Sequence, residues 1–293
     1  MRSHTRGTNS RARASIGLFA VLVGLWVPAA CSTASRSNAS AVRDQSARGR
    51  PDPTAGDAAL DRAVRFVRAQ RDSVDVPSLL VFDYQARRWN VATLLGFRRY
   101  ARTVAGATAP GNAFVRMFGT RYHASAAALR LLRSTDRLTA VALECERTPL
   151  GPEFANRLRA AVAAGGYEAT HVLLAVGWIR ELGCRLSSAA AIGRAAVDRV
   201  SAELIRSNAV TDLSLEQSCF LGYAGARSKV RPDWAGQVRR AQRPDGGWAE
   251  DPSATPVGDH DPTRSNWHTT GLGLCSLLFS AGPGASATRM VPA

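Results

Sequence analysis

Two stretches near the C-terminus decide the architecture of this chain: Gln242-Arg-Pro-Asp-Gly-Gly-Trp248 and Asn266-Trp-His-Thr-Thr-Gly-Leu-Gly-Leu-Cys275. The first combines a helix end, a Gly-Gly turn and an aromatic ring that can pack over the turn, because glycine tolerates the left-handed backbone of a helix stop. The second begins a new apolar helix with His268 close to its start. Together they predict two helices joined by a tight turn and a loop.

The same helix-and-turn pattern extends outward from these stretches over residues 58 to 281. Apolar side chains recur at helical spacing, as at Leu60, Val64 and Val67, and glycines or Thr-Asp steps separate the segments. No segment shows the alternation typical of a strand. The sequence therefore predicts an all-α domain of about ten helices, joined mostly by short loops and long enough to bury a core.

A weak internal repeat supports this prediction. The stretch Arg65-Phe-Val-Arg-Ala-Gln-Arg71 resembles Gln237-Val-Arg-Arg-Ala-Gln-Arg243, and Gly165-Gly-Tyr-Glu-Ala-Thr-His171 parallels the later Gly-Gly-Trp and Trp-His steps. Helical hairpins that cannot bury their apolar faces alone stack into arrays or closed rings.

The first thirty residues have the composition of an export signal. Residues 1 to 15 carry four arginines and no acid, and the apolar run of residues 16 to 27 is shorter than the roughly 20 residues that span a bilayer. Pro28-Ala29-Ala30 then supplies small residues for cleavage. We therefore expect residues 1–30 to be a signal peptide.

Cys31 follows these small residues and resembles the cysteine of a bacterial lipobox. The resemblance implies a lipidated Cys31 that anchors the mature protein to a membrane of the cell envelope. Pro28 stands where lipoboxes have an aliphatic residue, so ordinary secretion is the alternative. Composition further predicts a flexible tether at 31–57, a helical domain at 58–282 and a disordered tail at 283–293.

The charge of the chain restricts its partners. Removing four arginines with the signal leaves 34 basic against 23 acidic residues, a net charge of +11, and Lys229 is the only lysine. The arginines are scattered rather than grouped with aromatic residues, so we expect no nucleic-acid partner. A cationic surface suits an anionic membrane or a polyanionic glycan.

Four further cysteines lie in apolar helical stretches, at positions Cys145, Cys184, Cys219 and Cys275. Their spacing matches neither a small disulfide scaffold nor a CxxC metal motif. Export would permit disulfides, but the interpretation we favour from sequence is that they are buried, unpaired hydrophobic residues.

The motif Gln242-x3-Gly246-Gly247-Trp248 resembles the Gln…Gly-x-Trp repeat of the terpenoid cyclase and protein prenyltransferase superfamily. This resemblance implies an α/α toroid, a ring of paired outer and inner helices, in which Gln242 caps backbone groups and Trp248 packs over the turn. In prenyltransferase β-subunits a histidine at the position of His268 is a zinc ligand.

The chain departs from both families at their catalytic motifs. It has no Asp-x-Asp-Asp motif, of which Asp259-His-Asp261 in a loop is the nearest form, and it has no Asp-x-Cys. We therefore expect the scaffold of the superfamily without class II cyclase chemistry.

Two histidines are the first candidates for function, because His171 and His268 both open helices after a turn. In a toroid the inner helices begin at the cavity mouth, so both could face one pocket, with Glu216, Cys219 and Tyr223 as a third wall. A His/His/Glu or His/Cys/Glu set could hold zinc with one open position. The same groups could act as acid and base without metal. The competing interpretation is that both histidines are capping or core residues and Glu216 a solvated or capping acid.

Two classes of function follow from these observations. One is an envelope-tethered domain that binds a ligand or partner without chemistry. The other is an exported enzyme using His171 and His268, either similar to α/α-toroid polysaccharide lyases, with Asn266, His268 and Tyr223 acting on an anionic glycan, or modifying a lipid. The fold alone cannot choose between them.

Overall fold

Ten α-helices and one short hairpin make up the regular structure in the described part of the chain. The computed structural model describes residues 56–94, 96–97, 99–100, 113–119, 122–256, 261–282, 284 and 288–291. The predicted signal, Cys31, the tether up to residue 55, and Asp259 lie outside these residues. None of the described helices is both long enough and apolar enough to cross a membrane.

The helices confirm the all-α prediction, and their bounds are as follows. They are α1 (Ala58–Ala69), α2 (Val76–Trp89), α3 (Ala126–Leu131), α4 (Ser134–Leu143), α5 (Pro152–Ala164), α6 (Gly166–Glu181), α7 (Ala189–Arg206), α8 (Asp212–Tyr223), α9 (Trp234–Ala241) and α10 (Trp267–Ala281). Short 3₁₀ turns occupy Arg71–Ser73, Ala92–Leu94, Val115–Phe118 and Arg227–Lys229. Two strands that the sequence did not predict, β1 (Trp248–Ala249) and β2 (Ser265–Asn266), pair antiparallel across the loop before α10.

The even-numbered helices pack side by side, α4 against α6, α6 against α8, α8 against α10, and α10 against α2. The odd-numbered helices cover them: α7 contacts α6 and α8, whereas α1 and α9 contact α10. This division agrees with the sequences. In α10 every residue from Thr269 to Phe279 is buried, as expected for a helix surrounded on all sides. In α1 only one face is buried, including Leu60 and Val64.

The Gly-Gly turn joins the last helical pair to the first helix. The amide of Gln242 donates to the carbonyl oxygens of Ala59 (2.8 Å) and Gly246 (2.9 Å), and its Oε1 accepts from Arg62. Backbone capping by Gln242, which the resemblance implied, is therefore present. One contact spans 183 residues of sequence, so this side chain connects distant parts of the fold.

Trp248 fills the space behind this turn. Its side chain is almost fully buried, its indole N–H donates to the carbonyl of Val238 (2.8 Å), and its backbone N–H donates to Oγ1 of Thr270 (3.1 Å). A Cβ atom on Gly273 would lie 2.6 Å from the Trp248 ring. The ring therefore sets how closely the turn can approach α10.

The four cysteines form two disulfides, Cys145–Cys184 and Cys219–Cys275. The interpretation of these cysteines as unpaired hydrophobic residues was wrong. The second bond joins α8 to α10, two helices that also pack directly against each other. The spacing of the cysteines in the sequence could not reveal these pairs, because the sulfur atoms meet only where the helices pack against each other in the folded chain.

The tail also differs from its prediction at two described residues. Residues 283–293 were expected to be disordered, but Met290 and Val291 are buried in the main core. Glu181, the last residue of α6, accepts hydrogen bonds from the backbone N–H groups of both residues, a long-range contact that composition alone did not indicate.

Substitution of Gly246 tests the turn. Gly246 has φ +94°, and an added Cβ would lie 2.6 Å from the carbonyl oxygen of Arg62. We expect Gly246→Ala to lower the free energy of unfolding by roughly 2–4 kcal/mol, because backbone strain and a clash with the main chain combine. Chemical denaturation measures this. Gly151→Ala, where an added Cβ meets nothing within 4 Å, is the control, and equal stability of the two variants would contradict the account.

Candidate functional site

The first turns of α4, α6, α8 and α10 meet at one end of the helical layer and bring charged side chains together. We call this group the histidine–carboxylate cluster. Its members are Asp136, Tyr167, Thr170, His171, Asp212, Glu216, His268 and Thr269. Helix N-terminal ends carry partial positive charge and unpaired N–H groups, so they stabilise carboxylates placed beside them.

Asp212 lies at the start of α8 and joins α6 to α10. Its Oδ1 accepts from the hydroxyl of Thr269 (2.6 Å) and its Oδ2 from the hydroxyl of Tyr167 (3.0 Å). Nε2 of His268 lies 3.7 Å from the same Oδ2. The capping box of Thr211 and Ser214 fixes the helix start. The carboxylate is therefore both buried and held in place.

Glu216 lies one turn further along α8, on the same face as Asp212, because residues four apart are neighbours on a helix. Its Oε1 accepts from the hydroxyl of Thr170 and lies 3.5 Å from Nδ1 of His171. Glu216 is only 3% exposed. The interpretation of Glu216 as a solvated or capping acid was therefore wrong.

His171 is held between two carboxylates. Its Nδ1 also lies 2.8 Å from the carbonyl oxygen of Tyr167, and its Nε2 lies 3.7 Å from Oδ1 of Asp136. Burial opposes protonation, but contacts with Asp136 and Glu216 outweigh it and raise the pKa of His171 to about 10. Nδ1 donates to the carbonyl oxygen of Tyr167, and the two nearby carboxylates favour the imidazolium form by their charge.

His268 has a similar partner but a more open position. Desolvation of its ring nitrogen opposes protonation, and the charges of Asp212 and Glu216 outweigh this and raise the pKa of His268 to about 9. Its side chain is 51% exposed, so water screens this pair more than the pair of His171. The ring of Trp267 lies beside it, with centroids 5.7 Å apart.

Asp212 and Tyr167 shift in the directions that these contacts predict. Burial opposes ionisation of Asp212, but the nearby charge of His268 and the hydrogen bonds from Thr269 and Tyr167 lower its pKa below the usual value. Burial and the charge of Asp212 raise the pKa of Tyr167. At neutral pH the cluster therefore combines ionised Asp212, the imidazolium groups of His171 and His268, and the neutral phenol of Tyr167.

The structure brings together the predicted site residues His171, Glu216 and His268 but separates Tyr223 from them. Tyr223 lies at the other end of α8, where its hydroxyl donates to Glu181 (2.8 Å). Its inclusion in the site was wrong, because seven residues along a helix rise about 10 Å. Cys219 cannot act as a metal ligand in a His/Cys/Glu set, since its sulfur is bonded to Cys275.

Among the described residues, one set could hold a metal. Asp212, Glu216 and His268 each offer a ligand atom, and these atoms lie within 4.8 Å of one another. Imidazole coordinates only in its neutral form, so a cation would have to displace the proton of His268. This set differs from both sets expected from sequence, because Asp212 takes the place of His171 or Cys219.

A second feature lies at the start of α10. A surface recess of about 480 Å³ is lined by Phe66, Gln70, Arg243, Asp245, Arg264 and Ser265. Oδ1 of Asp245 accepts from the hydroxyl of Ser265 (2.9 Å) and from the backbone of Gly247 (3.0 Å). Three residues lie between Arg264 and His268, so the recess is lined by the stretch of chain that leads directly into α10.

Sequence reasoning missed Tyr167, Thr170, Asp212 and Asp136 as parts of the site. Asp212 and Glu216 have a detectable signal, since two acids four residues apart on an apolar helix share one face. Asp136 and Thr170 carry no such signal, because only packing of α4, α6 and α8 brings them to the cluster.

Comparison with known proteins returned nothing. No family model, curated protein or solved structure matches this chain. The resemblance to terpenoid cyclases and prenyltransferases thus rests on the turn motif alone.

The raised pKa values predict a pH dependence of stability. A histidine whose pKa is higher in the folded than in the unfolded state stabilises the fold below the unfolded value, near 6.5, and loses this contribution as pH rises through the folded value. For His171 the loss falls between pH 6.5 and about 10, and we expect it to be on the order of 3 kcal/mol.

Chemical denaturation from pH 6 to 10 measures this effect. His171→Gln should flatten the decline relative to the wild type. His123→Gln changes a histidine that pairs with Glu144 outside the cluster, and it is the matched comparison for removal of an imidazole. Identical slopes for His171→Gln and the wild type would show that the cluster does not hold His171 protonated.

Proposed function

We propose that this chain is an exported lipoprotein, tethered to the cell envelope through Cys31, whose helical domain is an α/α toroid that binds an anionic glycan. Two observations carry the binding proposal: half-exposed His268 lies 3.7 Å from buried Asp212, which raises the pKa of the imidazole, and a surface recess just before α10 is lined by Arg243 and Arg264. The chain lacks the Asp-x-Asp-Asp motif, so the proposal does not include class II cyclase chemistry.

The toroid proposal draws on the packing of the helices. Outer and inner helices alternate along the chain, and Gln242 joins the last pair to the first helix. This alternation supports a ring of helical hairpins, in which each hairpin covers the apolar face of its neighbour.

The export proposal draws on the two disulfides. Disulfides persist in oxidising compartments and are rare in the cytosol. A domain with two of them, preceded by a basic segment, an apolar run and small residues before Cys31, fits an exported protein.

Lipidation of Cys31 can be tested by metabolic labelling with a fatty-acid analogue in a bacterial host. We expect label on the mature wild type and none on Cys31→Ser. Cys145→Ser and Cys184→Ser together provide the control, because they also remove cysteines but should keep the label. An unlabelled wild type found in the culture medium would point to ordinary secretion instead.

Charge favours an anionic over a neutral ligand. The acids of the cluster are mostly buried, Asp212 and Glu216 almost completely, whereas His268, Arg243 and Arg264 are exposed. Asp245 is exposed too, but it already accepts two hydrogen bonds. A ligand that approaches from solvent therefore meets more positive than negative groups, with Trp267 and Phe66 as apolar surfaces for a sugar ring.

Titration calorimetry with a uronic-acid tetrasaccharide tests this proposal. We expect His268→Ala and Arg264→Ala each to weaken binding about tenfold, because a hydrogen bond to a charged group contributes roughly 1.5–3 kcal/mol. Raising the salt concentration should weaken binding further. His123→Ala and Arg159→Ala, which change a histidine and an arginine elsewhere in the fold, should leave affinity unchanged. Equal binding of a neutral tetrasaccharide would overturn the anionic assignment.

An exported enzyme that uses His171 and His268 is the second candidate. With pKa values near 10 and 9, both groups are protonated at neutral pH and suit the role of general acid rather than general base. Turnover of the tetrasaccharide by the wild type, lost in His268→Ala, would favour this candidate over simple binding.

A further inference from the structure

The opposite ends of α6 and α8 form a second polar site, away from the histidine–carboxylate cluster. Glu181 is the last residue of α6, and its carboxylate is bonded on both oxygens. Oε1 accepts from the hydroxyl of Tyr223 (2.8 Å), whereas Oε2 accepts from the backbone N–H groups of Met290 (3.0 Å) and Val291 (2.9 Å). One carboxylate oxygen therefore binds two successive amides of the C-terminal segment, which we define as Arg289–Val291.

Every residue of the C-terminal segment makes at least one hydrogen bond to the helices around it. The guanidinium of Arg87 donates to the carbonyl oxygen of Arg289 (3.3 Å), and that of Arg289 donates to the carbonyl oxygen of Glu181 (3.1 Å). The indole N–H of Trp178 donates to the sulfur of Met290 (3.4 Å). Such contacts resemble those of a peptide held in a binding site.

The two apolar side chains of the segment fill the interior. Met290 is 4% exposed and Val291 is fully buried. Burying an aliphatic side chain of this size contributes roughly 1.5–3 kcal/mol. Trp178 contacts Met290, and Tyr223, which bonds to the same Glu181 as the segment, is itself held in place by edge-to-face packing on Tyr84 and by its close approach to Gly177. The site thus binds both the backbone and the apolar side chains of a short extended peptide.

The segment belongs to no helix or strand, so no backbone ladder ties it to the domain, and local opening of such a segment costs less free energy than global unfolding. The walls are formed instead by α2, α6 and α8, which pack with the other helices independently of it.

We propose that this is a peptide-binding site, occupied by the chain's own C-terminal segment, which exchanges with an external peptide that presents two successive amide N–H groups and an apolar pair such as Met-Val. The ligand of this site is a peptide, whereas that of the proposed function is a glycan. The site also lies at the opposite ends of the helices from the histidine–carboxylate cluster. Each proposal therefore stands or fails independently of the other.

Fluorescence anisotropy with a labelled peptide of residues 286–293 tests this inference. In the full chain, Met290→Asp with Val291→Asp vacates the site, and we expect this double variant to bind the peptide at least tenfold more tightly than the wild type. The attached segment has an effective concentration of millimolar order, so it competes strongly in the wild type. Adding Glu181→Ala to the double variant should abolish binding.

A labelled peptide that carries the same two aspartates is the matched control and should not bind. If the double variant is folded by circular dichroism and does not bind the native peptide, the proposal is overturned.

Hydrogen exchange in the wild type provides a measurement that does not depend on the variant. We expect the amides of Met290 and Val291 to exchange at least a hundredfold faster than buried amides in the middle of α10, because the segment opens locally. Exchange of both amides at the rate of the α10 core would mean that the segment leaves only on global unfolding, which would overturn the proposal.

Discussion

The side-chain amide of Gln242 donates hydrogen bonds to the backbone of Ala59, 183 residues earlier in the chain, and to that of Gly246, four residues later. Through these bonds α1 is fixed to the turn that precedes the hairpin and α10. Trp248 then sets the distance between this turn and α10, because Gly273 leaves no space for a larger side chain beneath the ring. The position of His268, in the first turn of α10, depends on this arrangement.

The distribution of charge at the N-terminal ends of the helices follows from the same packing. Side-by-side helices with their N-terminal ends at one side concentrate partial positive charge there, which favours buried carboxylates. Those carboxylates in turn hold His171 and His268 protonated. A group of charges that would be costly if isolated is stable, because Asp212 accepts hydrogen bonds from α6 and α10, and Glu216 accepts from Thr170 on α6 and lies beside His171.

The two ends of the helical layer therefore differ in chemistry. One end places half-exposed His268 beside buried Asp212, and the other binds an extended segment through Glu181 and Trp178, with Tyr223 bonded to Glu181. Tyr223 and Glu216 lie on the same helix but belong to sites at its opposite ends. Their spacing in sequence suggested a single site, and the length of the helix separates them.

The sequence by itself determined the helical class, the Gly-Gly turn with its glutamine and tryptophan, and the histidines at two helix starts, because these features depend on local spacing and backbone preference. It also predicted that Glu216 lies in the same site as His171 and His268. Only the tertiary structure decided the cysteine pairing, the roles of Asp212 and Asp136, the place of Tyr223, and the burial of Met290 and Val291. Each of these depends on contacts between residues far apart in sequence, which helical periodicity does not specify.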